Sequence, residues 1–283
     1  RTLESAATLG LMYGTLNQLR QGVHYIKDLD KELTNVQVVT GMSQESVEKL
    51  GMEYNGLAKT LGATTLEVTR GSIEWLRQGK SAEETQELLR SSMMLSKLAA
   101  MDSADATEKL TAIMNGFKME ASESGTVISK LISLDNAYAT SSKEIATAMQ
   151  YSANSAQQAG VEYDRLASYI TVISRTTRKS SESIGQSLKT IFSRMQNIKL
   201  GKMWEDEATT INDVEKVLSR HNIALRESET EFRDMDKVLD DVAAKWSGLG
   251  ETEQQALAGA LSGLHQRENF LVLMENYGEV IKA

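Results

Sequence analysis

Not one of the 283 residues is a proline. At average usage a chain this long would carry about fourteen. Proline ends or kinks a helix, because it lacks the backbone N–H and its ring collides with the preceding turn. A chain without it is free to run as helix throughout, punctuated by glycine and by capping side chains. Aromatic residues make up 5% of the chain, which argues against a dense conventional core. The predicted fold class is all-α, and the predicted role is structural or interactive before it is catalytic.

Composition narrows the functions further. A hydrophobic content of 41% supports a packed interior. No run reaches the roughly 18 apolar residues of a membrane span. The longest candidate, Ala256 to Leu264, is followed at once by His265, Gln266, Arg267 and Glu268. A net charge of -8 argues against general affinity for nucleic acid, so no specific nucleic-acid partner is expected. The absence of cysteine excludes disulfides and thiolate metal sites. The chain opens at Arg1 with neither methionine nor a signal-peptide pattern, and is expected to be part of something longer. Charge is unevenly spread. Residues 171–202 hold seven Lys/Arg against the single acid Glu182, whereas residues 203–241 hold twelve acids against five bases. The two segments either pair, within the fold or between copies, or form two solvated faces.

The N-terminal stretch carries a seam. Leu9, Met12, Leu16, Leu19, Val23 and Ile26 follow alternating spacings of three and four; Asp30 takes the next position and Leu33 resumes the pattern. That is the a/d repeat of a coiled coil, and these seven apolar residues are the candidate self-association face. One long helix packed on its own chain is the alternative. The mixture of Leu, Met, Val and Ile leaves two or three strands open.

Beyond Gly41 the rhythm shortens. Ser43 opens a helix carrying Val47, Leu50, Tyr54, Leu57 and Leu61. Thr64 with Glu67, Ser81 with Glu84, and Ser141 with Glu144 form capping-box pairs, and Asp102 offers a further start. Gly62, Gly79, Gly116 and Gly160 mark stops. Starts recur about every 20 residues, without the repeated side-chain signature of a solenoid. The architecture predicted is a long coiled-coil-like helix over residues 1–40, a multi-helix core of short antiparallel helices over 41–202, and a helical hairpin section over 203–283. In that last section, Thr210 to Arg220 and Thr230 to Trp246 read as helices. A Trp246–Gly250 turn leads into a final helix with Gly259 and Gly263 on a small-residue face.

Catalysis finds no support. His24, His221 and His265 lack metal-ligand spacing, and no phosphate-binding, dinucleotide or nucleophile-elbow motif is present. Paired acids on helices are expected by chance when a quarter of the chain is charged. No enzyme, cofactor or metal is predicted. A W-x-G turn between helices also occurs in small secreted helical hairpins, so a helical interaction protein of that kind is one alternative reading.

The C-terminal residues carry a resemblance. The runs Phe232–Leu239, Ala244–Leu249 and Gln254–Ala258, with Leu261-Ser-Gly263-Leu-His-Gln266-Arg267-Glu-Asn-Phe270, resemble the core region of bacteriophage tail tape-measure proteins in order and spacing. The helix starts near Gly62, Ser81, Ser142 and Gly160 look like the same family's, and the similarity covers about Asp28 to the end. In place of glycines that many relatives have after the Ile170 region, this chain has Arg175-Thr-Thr-Arg178-Lys-Ser-Ser. The family motif and helix-packing residues are Trp246, Leu249, Gly259, Gly263, Gln266, Arg267 and Phe270. The resemblance implies a virion structural protein in the tail, in the tube lumen or tip, made in the host cytoplasm. It further implies a part in setting tube length and ejection ahead of the genome through the host envelope. Implied partners are other copies of the chain (three, in a threefold or sixfold tail), tail-tube and tail-tip proteins, and tail assembly chaperones. A scaffold of a tailocin or contractile injection system would carry the same signature.

Overall fold

The computed structural model describes the backbone of residues 2–199 and 211–283, and the side chains of residues 21–196 and 213–283. Among the described residues the secondary structure is helical, with no strand beyond an isolated antiparallel bridge between Arg226 and Phe232. The helices are α1 (Thr2–Thr40), α2 (Gln44–Leu61), α3 (Thr65–Arg77), α4 (Ala82–Leu98) and α5 (Ser103–Phe117), then α6 (Ser124–Ala137), α7 (Ser142–Ala159), α8 (Tyr163–Thr177) and α9 (Ser181–Lys199). After the gap come α10 (Ile211–Ser219), α11 (Met235–Trp246), α12 (Glu251–Ser262), α13 (Arg267–Glu275) and α14 (Tyr277–Lys282).

The caps form as their chemistry requires. Ser43 accepts the Ser46 N–H, and Thr64 and Ser141 complete capping boxes with Glu67 and Glu144. Ser81 and Glu84 exchange the same two bonds at 2.8 and 3.2 Å. Asp102 accepts the Ala104 N–H at 2.8 Å. Gly62 and Gly160 end α2 and α7 in the left-handed region. Gly116 does not end a helix. It lies inside α5, and the left-handed residue is Lys118 (φ 56°). Its missing side chain serves packing instead: a Cβ there would lie 2.6 Å from Ala153 Cβ. The turn after α8 closes without glycine, because Arg178 itself takes φ 55°, a conformation costing an L-residue about 1 kcal/mol. Its guanidinium donates to the Ala139 carbonyl at 3.1 Å.

Two expected helices differ. The segment predicted to be helical from Thr230 becomes so only at Met235. Residues before it close a tight turn in which the Glu227 and Ser228 N–H groups donate to the Glu231 carbonyl, and Arg226 sits 4.5 Å over the Phe232 ring. The single final helix is three, α12 to α14, broken at Gly263 (φ 73°) and at Asn276.

The chain forms two compact units: Arg1–Met94 with Asp102–Thr107, and Leu95–Met101 with Glu108–Ala283. Residues 41–202 are thus distributed over both, and the 202/203 boundary lies outside the described residues. In the first unit α1 packs on α3 and α2. Val36 is fully buried, Leu33 lies against the bare backbone of Gly51, and the Tyr25 hydroxyl accepts the Leu66 N–H at 3.4 Å. Glu32 pairs with Arg70 at 3.2 Å, which helps hold its carboxyl below the usual range despite burial. Gly71 of α3 receives Leu89 and Met93 of α4.

In the second unit the most extensive packing is between α7 and α9, which are not consecutive. Gly185 lies against Ala148, and Ser193 donates to Ser155 at 3.3 Å. The contacts advance together along both helices, so α7 and α9 run parallel with α8 connecting them. α7 is rich in buried small residues: Ala146, Ala148, Ser152, Ala153, Ala156 and Ala159. Helices approach closely only where such residues keep side-chain bulk out of the interface. Ala148 faces α9 and Ala153 faces Gly116 of α5; at 100° per residue these two faces lie roughly 140° apart. Part of the basic segment is used within this unit. Arg175 pairs with Glu279, Lys179 with Glu268, and Arg194 is buried. These acids come from α13 and α14, and not from the acidic run 203–241.

Two outcomes follow. A Cβ at Gly185 would strike the Ala148 carbonyl oxygen, which is backbone and cannot swing away, whereas one at Gly56 meets nothing within 4 Å. Gly185→Ala should lower unfolding free energy by about 1–3 kcal/mol, and Gly56→Ala, inside α2, should raise it by up to about 1 kcal/mol; chemical denaturation measures both. Tyr54 is fully buried, and burial pushes its phenol up to about 12, partly opposed by Ser72. A folded value above the unfolded one near 10 means its contribution is whole below pH 10 and is lost as pH rises towards 12. Between those values Tyr54→Phe should lose less stability than the native chain, by up to about 2–3 kcal/mol, in denaturation curves across pH.

Candidate functional site

The proposed self-association face begins on the surface. Val23 is 52% and Ile26 66% exposed, and Asp30 beside them is exposed. Leu33 is turned inward onto Gly51. Leu9, Met12, Leu16 and Leu19 lie outside the residues whose side chains are described. The face of α1 that packs in its unit runs through Tyr25, Leu29, Leu33 and Val36. At 100° per residue it sits roughly a quarter-turn round from the Val23–Ile26 stripe.

Of the C-terminal motif residues, Trp246 meets Phe270 and Gly259 meets Arg267. Trp246 is 5% exposed and its ring stands edge-on to Phe270, centroids 6.4 Å apart. Gln254 donates to the Trp246 carbonyl at 3.0 Å, tying the Trp246–Gly250 turn to α12. Leu249 is half-buried in that turn. The Arg267 guanidinium lies over Gly259, where an added Cβ would be 3.4 Å away, and Arg267 donates to Gln255 at 3.4 Å. Gly263 stands at the C-terminus of α12, where only glycine takes its conformation without strain. Gly259 and Gly263 therefore do not form one packing face: the first holds an arginine and the second turns the chain. Gln266 is half-buried at the start of α13 and makes no side-chain cap bond.

Asn269, adjacent to Phe270 in the chain, was not singled out from sequence. It is 4% exposed; its amide donates to Ser187 Oγ at 2.7 Å and its carbonyl oxygen accepts from Lys179 Nζ at 3.2 Å. Lys179 also reaches Glu268 at 2.8 Å. An amide at the head of the apolar run Phe270-Leu-Val-Leu-Met, next to the polar stretch His265–Glu268, gives little sign of its burial in the sequence; once buried it needs partners. The cluster thereby clamps α13 onto α9.

A second polar network ties α14 down. Tyr277 donates to Asp240 at 2.8 Å, Arg165 donates to the other Asp240 oxygen at 3.0 Å, and the Tyr169 and Tyr277 hydroxyls lie 3.2 Å apart. Burial pushes both phenols above their ordinary range. Asp236 nearby is raised by burial, with Asp234 and Glu162 adding like charge. A cleft of about 370 Å³ is lined by Arg165, Asp240 and Tyr277 of the network together with Ala243, Ala244, Gly278 and Ile281. Asp240 and the two tyrosine hydroxyls bond across helices, so the network ties α8, α11 and α14 together.

Among the described residues no group of His, Asp and Glu could hold a metal ion, and no helix is long and apolar enough to cross a membrane. His24 and His265 are exposed and His221 half-buried, each on a different element. Truncating Asn269 to alanine should leave the buried Ser187 hydroxyl without its donor, while Lys179 keeps Glu268, and cost about 1–3 kcal/mol; a fall in the denaturation midpoint with unchanged helical circular dichroism is the expected result.

Residues 26–263 match the sequence profile described as phage-related minor tail protein. No solved structure matches the chain. The match begins at Ile26 on the exposed stripe and runs through the Trp246 cluster to Gly263. The chain therefore belongs to the phage-related minor tail protein family.

Proposed function

We propose that this chain is the folded, non-enzymatic core of a tail tape-measure protein, which associates with copies of itself and acts in tail assembly and in genome delivery through the host envelope. The observation that carries this reading is the family match across residues 26–263, joined to what the helices in that span can and cannot do. A helix measures length because each residue adds about 1.5 Å. As one helix, residues 44–199 would reach roughly 230 Å. Here they are divided into eight helices of 13–19 residues, each at most about 30 Å long. Most of that potential length is folded away. This region is accordingly an assembly or terminator module, with the ruler elsewhere in the protein and α1 leading towards it. Its partners are tail-tube and tail-tip proteins and tail assembly chaperones. The buried clamp around Asn269 and the half-buried one around Asp240 suit a structural module, because their polar groups bond neighbouring helices.

The test is genetic. Deleting one capped helix pair between Ser43 and Lys199 from the phage gene should abolish or impair tail assembly without shortening the tails that form. Tails shortened in strict proportion to the residues removed, measured by electron microscopy, would overturn the folded-module reading. Normal, infectious tails formed without the chain would overturn the tape-measure role itself.

A further inference from the structure

One acid of the second unit is buried without a cation of its own. Asp236 stands in the first turn of α11 and is 8% exposed. It accepts the Lys237 backbone N–H at 2.6 Å and makes no salt bridge among the described residues. The turn that follows α7 forms its seat. Gly160 lies so near Asp234 that an added Cβ would come within 2.9 Å of the Asp234 Cα. Asp234 and Glu162, the residue before α8, face Asp236 with like charge. Arg165 faces it with opposite charge, and the Tyr169 hydroxyl lies in the same field. Both nearby cations are engaged elsewhere, Arg165 with Asp240 at 3.0 Å and Lys237 with Asp234 at 2.8 Å. α13 also packs on α11, and its buried side chains, Asn269, Phe270, Leu273 and Met274, carry no charge. The open N–H groups of a helix start favour a carboxylate. Burial, then the two like charges, oppose it and hold the Asp236 carboxyl above its ordinary range.

We propose that the seat of α11 on the start of α8 is a pH-sensitive joint, firm when Asp236 holds a proton and loosened when it is charged. Asp240 lies one turn on, on the same face, and holds α14 through Tyr277. The joint therefore governs how firmly both helices sit on α8. The fold favours the protonated acid. The contribution of Asp236 is whole below about pH 4, where the unfolded chain also binds the proton, and is lost as pH rises through the folded value. At neutral pH the carboxylate is charged and works against its own seat, and α11 opens from α8 more often than its packing alone would allow.

Asp236→Asn keeps an oxygen for the Lys237 N–H but cannot ionise. Hydrogen exchange of the intact chain is compared between the native protein and this variant. At about pH 7 the α11 and α14 amides should exchange about threefold slower, or more, in the variant, and the gap should close as pH falls towards about 4. Amides of α9, away from the joint, should change less. Glu162→Gln, at an exposed position, removes one like charge and should lower the pH at which Asp236 titrates, followed by carboxyl NMR. An Asp236 that titrates at or below its ordinary value would overturn the proposal. So would equal slowing through α9 and α11, which marks global stability and no joint, or no slowing at all. If Asp236→Asn does not fold, the native titration and its response to Glu162→Gln decide the matter: a titration that Glu162→Gln leaves unmoved counts against the joint.

Discussion

The second unit depends on how near α7 can come to its neighbours. Gly185 meets the backbone of Ala148, and Gly116 meets Ala153 and the Asn154 backbone, so two helices reach α7 with no side chain between. Close approach multiplies dispersion contacts, each tiny and collectively large. It also explains how a chain with so few aromatic rings builds an interior. The large side chains of Leu131, Ile170, Ile173, Leu188 and Phe192 are buried in the same unit, and small residues let the helices carrying them converge. The parallel run of α7 and α9 aligns their dipoles unfavourably, a modest electrostatic cost that close packing offsets. Gly160 continues the pattern at the end of α7, where a left-handed turn brings the backbone against Asp234 at the start of α11.

Around that packed centre, polar side chains decide which surfaces meet. Asn269, Ser187 and Lys179 link α13 to α9 and to the turn that precedes it. Asp240, Arg165, Tyr277 and Tyr169 link α11, α8 and α14. Apolar burial is indifferent to rotation of one helix on another, whereas a buried amide or carboxylate is costly unless it finds a particular partner. The C-terminal residues around Trp246 are therefore a set of positioning residues. Trp246 and Phe270 fill space, Gly259 and Arg267 fit each other, Gly263 turns the chain, and Asn269 fixes the register.

Membership of a tail-protein family and the shortness of the core helices bear on each other. A segment that measured length would gain from continuity, yet the capped starts at Thr64, Ser81 and Ser141 restart the helix repeatedly. The longest helix is α1, at 39 residues. It changes character within its own length, carrying an open stripe at Val23 and Ile26 and a packed face from Leu29 to Val36. That division separates what is available to other molecules from what is already committed within the chain.

Helix was legible over most of the described residues, the Thr230–Asp234 stretch and the breaks at Gly263 and Asn276 excepted, because it is local: the missing proline, the Ser/Thr–Glu spacings and the glycines at positions 62, 79 and 160 act on backbone groups within one or two turns. Where the decision depended on a distant neighbour, local reading failed or was silent. Gly116 looked like a stop, but Ala153, far along the chain, made it a contact point. Asn269 looked like the last of the polar residues His265–Asn269 until Ser187 and Lys179 gave it buried partners. The a/d repeat marked Leu33 as seam, but Gly51 took it for the interior. The sequence by itself determined the helices, their caps and their approximate ends, since hydrogen bonding and φ preferences are fixed within a few residues. Only the tertiary structure decided which helix lies on which, and which apolar faces are spent, because burial and partner choice depend on what long stretches of chain bring together.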